Sequence, residues 1–238
     1  MLYNIRYGTG GRPLLFPWSG YLRRTHRTLA RIAEFTKSQS PDIVGLVEVD
    51  AGSYRTGRRN QAKTIADYMG HYHVYRSKYS DTMLAHLVPI LNKQGNAFLT
   101  RDSITNAKFH YFERGVKRLV IELEMENLVI FLVHLALHFR TRQSQLADLY
   151  SLVNGTEKPH LVAGDFNARW GDREIKLFLA ATRLANADTF GHPTFPSWAP
   201  KRQLDFVLHS PHITVENLIV PSTPFSDHLP LICDFEIQ

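Results

Sequence analysis

Asp165 and Asn167 stand two apart in "LVAGDFNARW" (residues 161–170), just past an apolar run that reads as a buried strand. On extended backbone, residues i and i+2 point to the same side, so a carboxylate and a carboxamide can address one point at a strand's end. The same residues are ordinary ones for leaving a strand. Gly164 accepts positive φ, and Asx side chains bond their own backbone. Whether this is a turn or a place for chemistry depends on the company it keeps.

Polar residues recur where other strands should end. Asn4 lies inside "LYNIRYG", Glu48 near the end of "DIVGLVEVD", and His134 directly after the apolar run of "VIFLVHLALH". Asp205 sits among apolar neighbours in "QLDFVL", and Asp227 with His228 precedes the last strand in "FSDHLPLICDF". Each has a bland reading: Asn4 pairs with backbone, Glu48 faces water, His134 is a satisfied core histidine, Asp205 meets an arginine, Ser226-Asp227 is a turn. Yet polar groups bordering apolar strands cost several kcal/mol unless satisfied, and here strand after strand carries one. Together they form a set of hard oxygen ligands plus imidazoles, suited to Mg²⁺-assisted hydrolysis of phosphate. No cysteine set or close histidine pair suggests a structural zinc site.

The elements that must position these residues are legible as periodicity. Strand-like runs occur at 2–6, 42–48, 72–76, 96–100, 117–125, 128–133, 159–163, 204–208, 213–219 and 231–236, and helical patterns at 21–38, 60–69, 141–153 and 173–184. "KRLVIELEM" alternates as a sheet with one wet face would, and residues 120–132 predict a hairpin turning near Glu126-Asn127. So many hairpin-joined strands argue against a purely parallel sheet and for two mostly antiparallel sheets packed together, with helices outside. With no repeat or linker-like tract in 238 residues, one domain spanning 1–238 is the economical reading.

A hydrophobic content of 44% predicts a sizeable core. No run approaches the roughly 20 apolar residues of a membrane span, and "MLYNIRYG" has no leader-like apolar region. The single Cys233 excludes an internal disulfide and reads as a core thiol, so a cytoplasmic setting is expected. The net charge of +6 favours anionic partners. Arg23, Arg27 and Arg31 form a solvated helix stripe opposite Leu22, Leu29 and Ile32. Arg55, Arg58 and Arg59 in "RTGRRNQAK", and Lys201 and Arg202 in "APKRQ", sit in loops and are candidates for substrate contact. Residues 9–24 are aromatic and basic; Phe16, Trp18 and Tyr21 there suit either nucleobases or lipid.

The ordered set "YNIR", "GLVEV", "GNAFLTR", "VHLALH", "AGDFNA", "LDFVL", "SDHLPL" resembles the endonuclease/exonuclease/phosphatase superfamily over nearly the whole chain. That superfamily includes deoxyribonuclease I-like nucleases, apurinic endonucleases, neutral sphingomyelinases and inositol polyphosphate 5-phosphatases. The resemblance implies an α/β fold, a deoxyribonuclease I-like four-layer α/β/β/α sandwich with one cleft at the sheet ends. It implies Glu48 as principal Mg²⁺ ligand (Mn²⁺ substituting), with Asn4 and Asp227 lining the metal site. Asp165 would activate water, and Asn167 would hold the phosphoryl group or that water. His228 would contact a phosphate oxygen with Asp205 fixing its ring, and His134 would be a second imidazole on the phosphate. Asn96 of "GNAFLTR" and Trp198 join the loop cations on the substrate side.

"FPSWAPKRQLDFVL" resembles the 5-phosphatase signature only in part, because Trp198 and Asp205 are seven apart, too far for that match. The implied activity is Mg²⁺-dependent phosphodiester hydrolysis by a monomer, with nucleic acid favoured over phospholipid. A phospholipid- or phosphoinositide-directed enzyme, and a catalytically idle anion-binding protein, are the alternatives. The presence of all eight site residues favours the enzyme.

Overall fold

The computed structural model describes residues 1–11, 25–78 and 91–238. Its strands are β1 (Leu2–Asn4), β2 (Ile43–Asp50), β3 (Tyr72–Ser77), β4 (Gln94–Thr100), β5 (Asn106–Tyr111), β6 (Leu119–Glu124), β7 (Val129–His134), β8 (His160–Asp165), β9 (Ala185–Asn186), β10 (Asp205–His209), β11 (Ile213–Ile219) and β12 (Ile232–Ile237). The α-helices among the described residues are α1 (His26–Ser38), α2 (Gln61–Met69), α3 (Phe139–Asn154) and α4 (Asp172–Thr182).

The strands form one sheet of order β1-β2-β4-β3, a second of order β5-β6-β7-β8-β10-β9, and the hairpin β11-β12. Only β1-β2 and β7-β8 pair in parallel among these ladders. The expected hairpin is β6-β7, closed by Met125 N–H donating to the Leu128 carbonyl at 2.8 Å.

Side-chain alternation builds the layers. On β7, Ile130 and Leu132 face the other sheet, whereas Phe131 and Val133 face α3 and α4. On β4, Phe98 enters the same inter-sheet core, while Ala97 and Leu99 meet α1 and α2. The result is α1/α2, sheet, sheet, α3/α4: the four-layer α/β/β/α sandwich. Cys233 is half-buried against the inter-sheet core.

The sequence pattern missed β5 and β9. "NAKFHY" is a half-exposed edge strand without a clean apolar period, and β9 has only two residues. Helix α1 covers His26–Ser38, with Leu29 and Ile32 buried and Arg27 and Arg31 exposed as expected; residues 21–24 of the expected helix lie outside the described residues. Arg23 and Leu22, together with Phe16, Trp18 and Tyr21, lie outside the described residues.

Candidate active site

Four site residues are terminal inward-facing positions at one end of the sheets, the last of β1, β7 and β8 and the first of the antiparallel β10. Leu2 of β1, Leu132 of β7, Ala163 of β8 and Val207 of β10 all point into the inter-sheet core. Period-two alternation therefore sends Asn4, His134, Asp165 and Asp205 to that same side, where the core opens. Register then sets them abreast, since His134 pairs with Asp165 across β7-β8 and Asp165 pairs with Asp205 across β8-β10. Gly164 makes the close approach possible. Its φ of +156° and its contact with β7 leave no room for a Cβ, which would run into the Val133 carbonyl oxygen.

Glu48 reaches the site by breaking alternation. Leu46 and Val49 both face the helix side, and the β2-β4 register shifts between them. Glu48 is the extra residue, at φ +57°, a conformation uncommon for a non-glycine side chain. Such a bulge re-aims a side chain, and Glu48 lines the cleft. Asn167 has φ +51°, which Asn tolerates. Its N–H donates to Asp165 Oδ1 at 2.9 Å and its Nδ2 to the Leu135 carbonyl at 2.9 Å. "GDFN" is thus an Asx turn at the wall of the cleft.

The cleft measures about 320 Å³ and is lined by Asn4, Arg6, Glu48, Lys117, Leu137, Asp165, Asn167, Arg169, Phe195, Arg202, Leu204, Asp227 and His228. Asn4 Nδ2 donates to Asp165 Oδ2 at 3.1 Å, while Asn4 Oδ1 accepts the Arg6 N–H. Arg6 Nε lies 3.2 Å from Asp227 Oδ2. His228 Nδ1 meets Asp205 Oδ2 at 2.7 Å, and Thr194 Oγ1 donates to the same oxygen at 2.6 Å. His228 Nε2 is 3.9 Å from Asp165 Oδ2, a gap wider than a hydrogen bond.

Electrostatics separate the roles these groups can take. Burial opposes charge on His228, but the carboxylates of Asp205 and Asp165 outweigh it and lift its pKa to about 10. Burial, helped by the Asp205 charge, raises Asp165 to about 6. Burial also pushes Glu48 up, yet Lys117 and Lys78 bring it below its ordinary value, whereas burial raises Asp227. His134 is held well below the usual imidazole range, first by burial and then by Lys117 and Lys78.

Two donor sets could take a metal. Ligand atoms of Asp165, Asp205 and His228 all lie within 4.8 Å of one another, but His228 Nδ1 is spent on Asp205, and a protonated imidazole does not ligate. Glu48, Asp227 and the Asn4 amide oxygen offer hard oxygen donors lining one cleft, the chemistry that Mg²⁺ and Mn²⁺ prefer. Asn96 is fully buried at the cleft end of β4 on the inter-sheet side. Neither of its amide atoms has a partner among the described residues. A buried unsatisfied amide costs about 1–3 kcal/mol, which fits a partner brought in from outside the chain.

The structure does not gather every expected residue. Arg55 is buried, donates Nε to Asp50 Oδ2 at 2.6 Å and lies over the Tyr7 ring at 4.3 Å, so it braces the core rather than facing the cleft. Arg58 lines a separate pocket with His26, Tyr54 and Gly57. Arg59, Trp198 and Lys201 are exposed outside the cleft lining, whereas Arg202 is part of it. His134 is inside the cluster but closed off: Lys78 Nζ lies 3.0 Å from Nδ1, and Lys117 Nζ hydrogen-bonds Nε2. Four basic residues went unnoticed in the sequence: Arg6, Lys78, Lys117 and Arg169. Arg6 and Arg169 had one detectable sign, each lying two residues after a site asparagine (Asn4 and Asn167); the two lysines had none.

The sequence profile of the Endonuclease/Exonuclease/phosphatase family matches residues 1–228. The chain belongs to this family. Its members hydrolyse phosphate esters, generally with a divalent metal, and this chain is such an enzyme. The family fold recurs in solved structures. A conserved protein of unknown function from Enterococcus faecalis aligns with TM-score 0.77 and 14% identity, over 100% of this chain and 98% of its own. Mannosyl-6-phosphatase from Bacteroides thetaiotaomicron aligns with TM-score 0.71 and 15% identity, covering 99% and 98%. The human Nocturnin catalytic domain with bound sulfate aligns with TM-score 0.70 and 22% identity, covering 99% and 93%. At these identities the likeness speaks for the fold. No curated protein sequence matches the chain. No helix among the described residues is long and apolar enough to cross a membrane.

Proposed function

We propose that this family member is a Mg²⁺-dependent phosphodiesterase, with Mn²⁺ able to substitute, acting on nucleic acid in preference to phospholipid. The observation that carries the reading is one cleft holding three hard oxygen donors beside a carboxylate and a charged, carboxylate-backed imidazole. Glu48, Asp227 and the Asn4 amide oxygen would hold the metal, which when bound neutralises charge on the phosphoryl oxygens. Asp165, ionised above about pH 6, would orient the attacking water and take its proton. Asn167, pinned by its turn, helps position that water or the phosphoryl group. His228 keeps its Nε2 proton uncommitted because Asp205 holds the other nitrogen, and it would donate to a phosphate oxygen as charge develops.

Charge favours a polyanion. Within the cleft Arg6 is committed to Asp227, Lys117 to His134, and His228 to Asp205. The guanidinium groups of Arg169 and Arg202 have no hydrogen-bond or ion-pair partner among the described residues, which leaves surplus positive charge beside the reacting position for a neighbouring phosphate. The Phe195 ring, 4.9 Å from that of His228, adds an aromatic wall.

The test is binding of Asp165→Asn to duplex and single-stranded DNA and to anionic vesicles across a salt series, beside a hydrolysis panel of DNA, RNA, sphingomyelin and phosphoinositides. A nucleic-acid enzyme gives a log–log salt slope of about −0.7 to −0.9 per phosphate contact, shallower in Arg169→Gln and Arg202→Gln. Weak DNA binding at low salt, with vesicle binding intact, reassigns the substrate to lipid.

A further inference from the structure

His134 stands where the resemblance puts an imidazole on the phosphate, yet its ring is closed to substrate. The side chain is 1% exposed, and both nitrogens are engaged by lysines. A neutral imidazole has one N–H and one lone pair, so it can accept from only one ammonium. Lys78 is the buried member of the pair, and burial lowers its pKa to about 8.

Lys117, by contrast, lines the cleft with its side chain 22% exposed and its Nζ 3.9 Å from Glu48 Oε1. The ring nitrogen it binds is 3.4 Å from Asp165 Oδ2. Its loop is also built to hold it there. The fully buried Gln145 of α3 donates Nε2 to the carbonyls of Arg114 at 2.9 Å and Lys117 at 2.7 Å. Its Oε1 accepts the Ala136 N–H at 2.8 Å, tying that loop to the segment just past His134. A solvated surface lysine has no such restraint at both ends.

We propose that Lys117 is a catalytic residue whose ammonium contacts a non-bridging oxygen of the reacting phosphoryl group, with His134 and Gln145 as the positioning residues that aim it. The proposal rests on the phosphohydrolase reading above. The contribution is electrostatic: no bond to Lys117 forms or breaks, and a cation already fixed in place stabilises developing charge without reorganising. An ammonium has three N–H donors, and His134 takes one, which leaves donors for the anion.

The test uses the full chain with Lys117→Met, Lys117→Arg, His134→Asn and Asp165→Asn. Hydrolysis of bis(4-nitrophenyl) phosphate is measured with Mn²⁺, and calorimetry gives the affinity for Mn²⁺ and then for orthophosphate on the Mn²⁺-loaded protein. Lys117→Met is expected to lower kcat about 100-fold, as loss of one preorganised donor does. It should weaken orthophosphate about tenfold and leave Mn²⁺ affinity within about threefold. Lys117→Arg should recover part of both losses, and His134→Asn should lose less than Lys117→Met. The assignment is overturned if orthophosphate affinity is unchanged, if Mn²⁺ affinity changes in its place, or if His134→Asn is tenfold worse than Lys117→Met. Orthophosphate affinity decides the matter if turnover of this diester is slow. Full turnover by Asp165→Asn would remove the underlying reading itself, whereas an inactive Asp165→Asn beside an unimpaired Lys117→Met removes only the role of Lys117.

Discussion

Asp205→Asn isolates the work of one buried carboxylate. The change keeps the side chain's shape and removes the charge that faces His228 Nδ1 at 2.7 Å. Two losses follow. Without that carboxylate the largest influence raising the ring is gone, and its pKa falls from about 10 toward the ordinary imidazole value of about 6.5, with Asp165 and Asp227 still opposing burial. At pH 7.5 the protonated fraction then drops from nearly all to no less than about one tenth, at most roughly a tenfold loss. A charge-assisted hydrogen bond is worth about 1.5–3 kcal/mol, so loss of orientation removes roughly another 10- to 150-fold. The expected fall in kcat/KM at pH 7.5 is therefore about 10- to 10³-fold.

The pH profile carries the signature. The wild-type enzyme keeps its imidazolium up to about pH 10 and loses activity as Asp165 protonates below about pH 6. The variant needs acid to charge its ring, so its optimum moves down by about one to two pH units. Since the pair acts as a unit, Asp205→Asn combined with His228→Ala should fall little below the worse single variant. The assay is kcat/KM from pH 5.5 to 9 for both singles and the double. An Asp205→Asn enzyme within threefold of wild type at pH 7.5, an unmoved optimum, or losses that multiply in the double would refute this account.

Chelation with excess EDTA should abolish activity, with Mg²⁺ or Mn²⁺ restoring it; Glu48→Gln should raise the metal concentration needed by about tenfold or more. Turnover that persists in EDTA would rule out the metal mechanism. Asp165→Asn should lose turnover by about 10²- to 10⁴-fold while circular dichroism and DNA binding stay intact; retention of most of kcat would leave Asp165 a turn residue only. Arg142 and Glu174 are both buried, with Arg142 Nε 2.5 Å from Glu174 Oε1 and Nη1 donating to the Ala136 and Leu137 carbonyls at 2.8 and 3.0 Å. Arg142→Met should therefore destabilise the fold by about 3–5 kcal/mol, because it strands the Glu174 carboxylate, while Arg142→Met with Glu174→Leu should recover much of the loss. Thermal denaturation checks this, and a Tm drop of under about 3 °C for the single variant would contradict it.

The sequence by itself determined most of the strands, their apolar faces and the polar residues bordering several of them. These are local properties: a period-two pattern says which side a residue faces, and a buried Asn, Asp, Glu or His at the end of that pattern stands out without any knowledge of its neighbours. That is why Asn4, His134, Asp165 and Asp205 stood out, and why two packed sheets with helices outside followed; Glu48, Asp227 and His228 stood out by residue type beside apolar runs, and the four-layer order was implied by the family resemblance. Only the tertiary structure decided which cations belong to the cleft. Lys117 lies 17 residues before the histidine it meets and Lys78 lies 56 before it, and loop composition records no such pairing. Arg55 and Arg58 looked alike on paper, but Asp50 takes Arg55 into the core while Arg58 stays at the surface. Long basic side chains have no preferred face of their own; the partner that desolvates them chooses it, and that partner is brought near only when distant strands come into register.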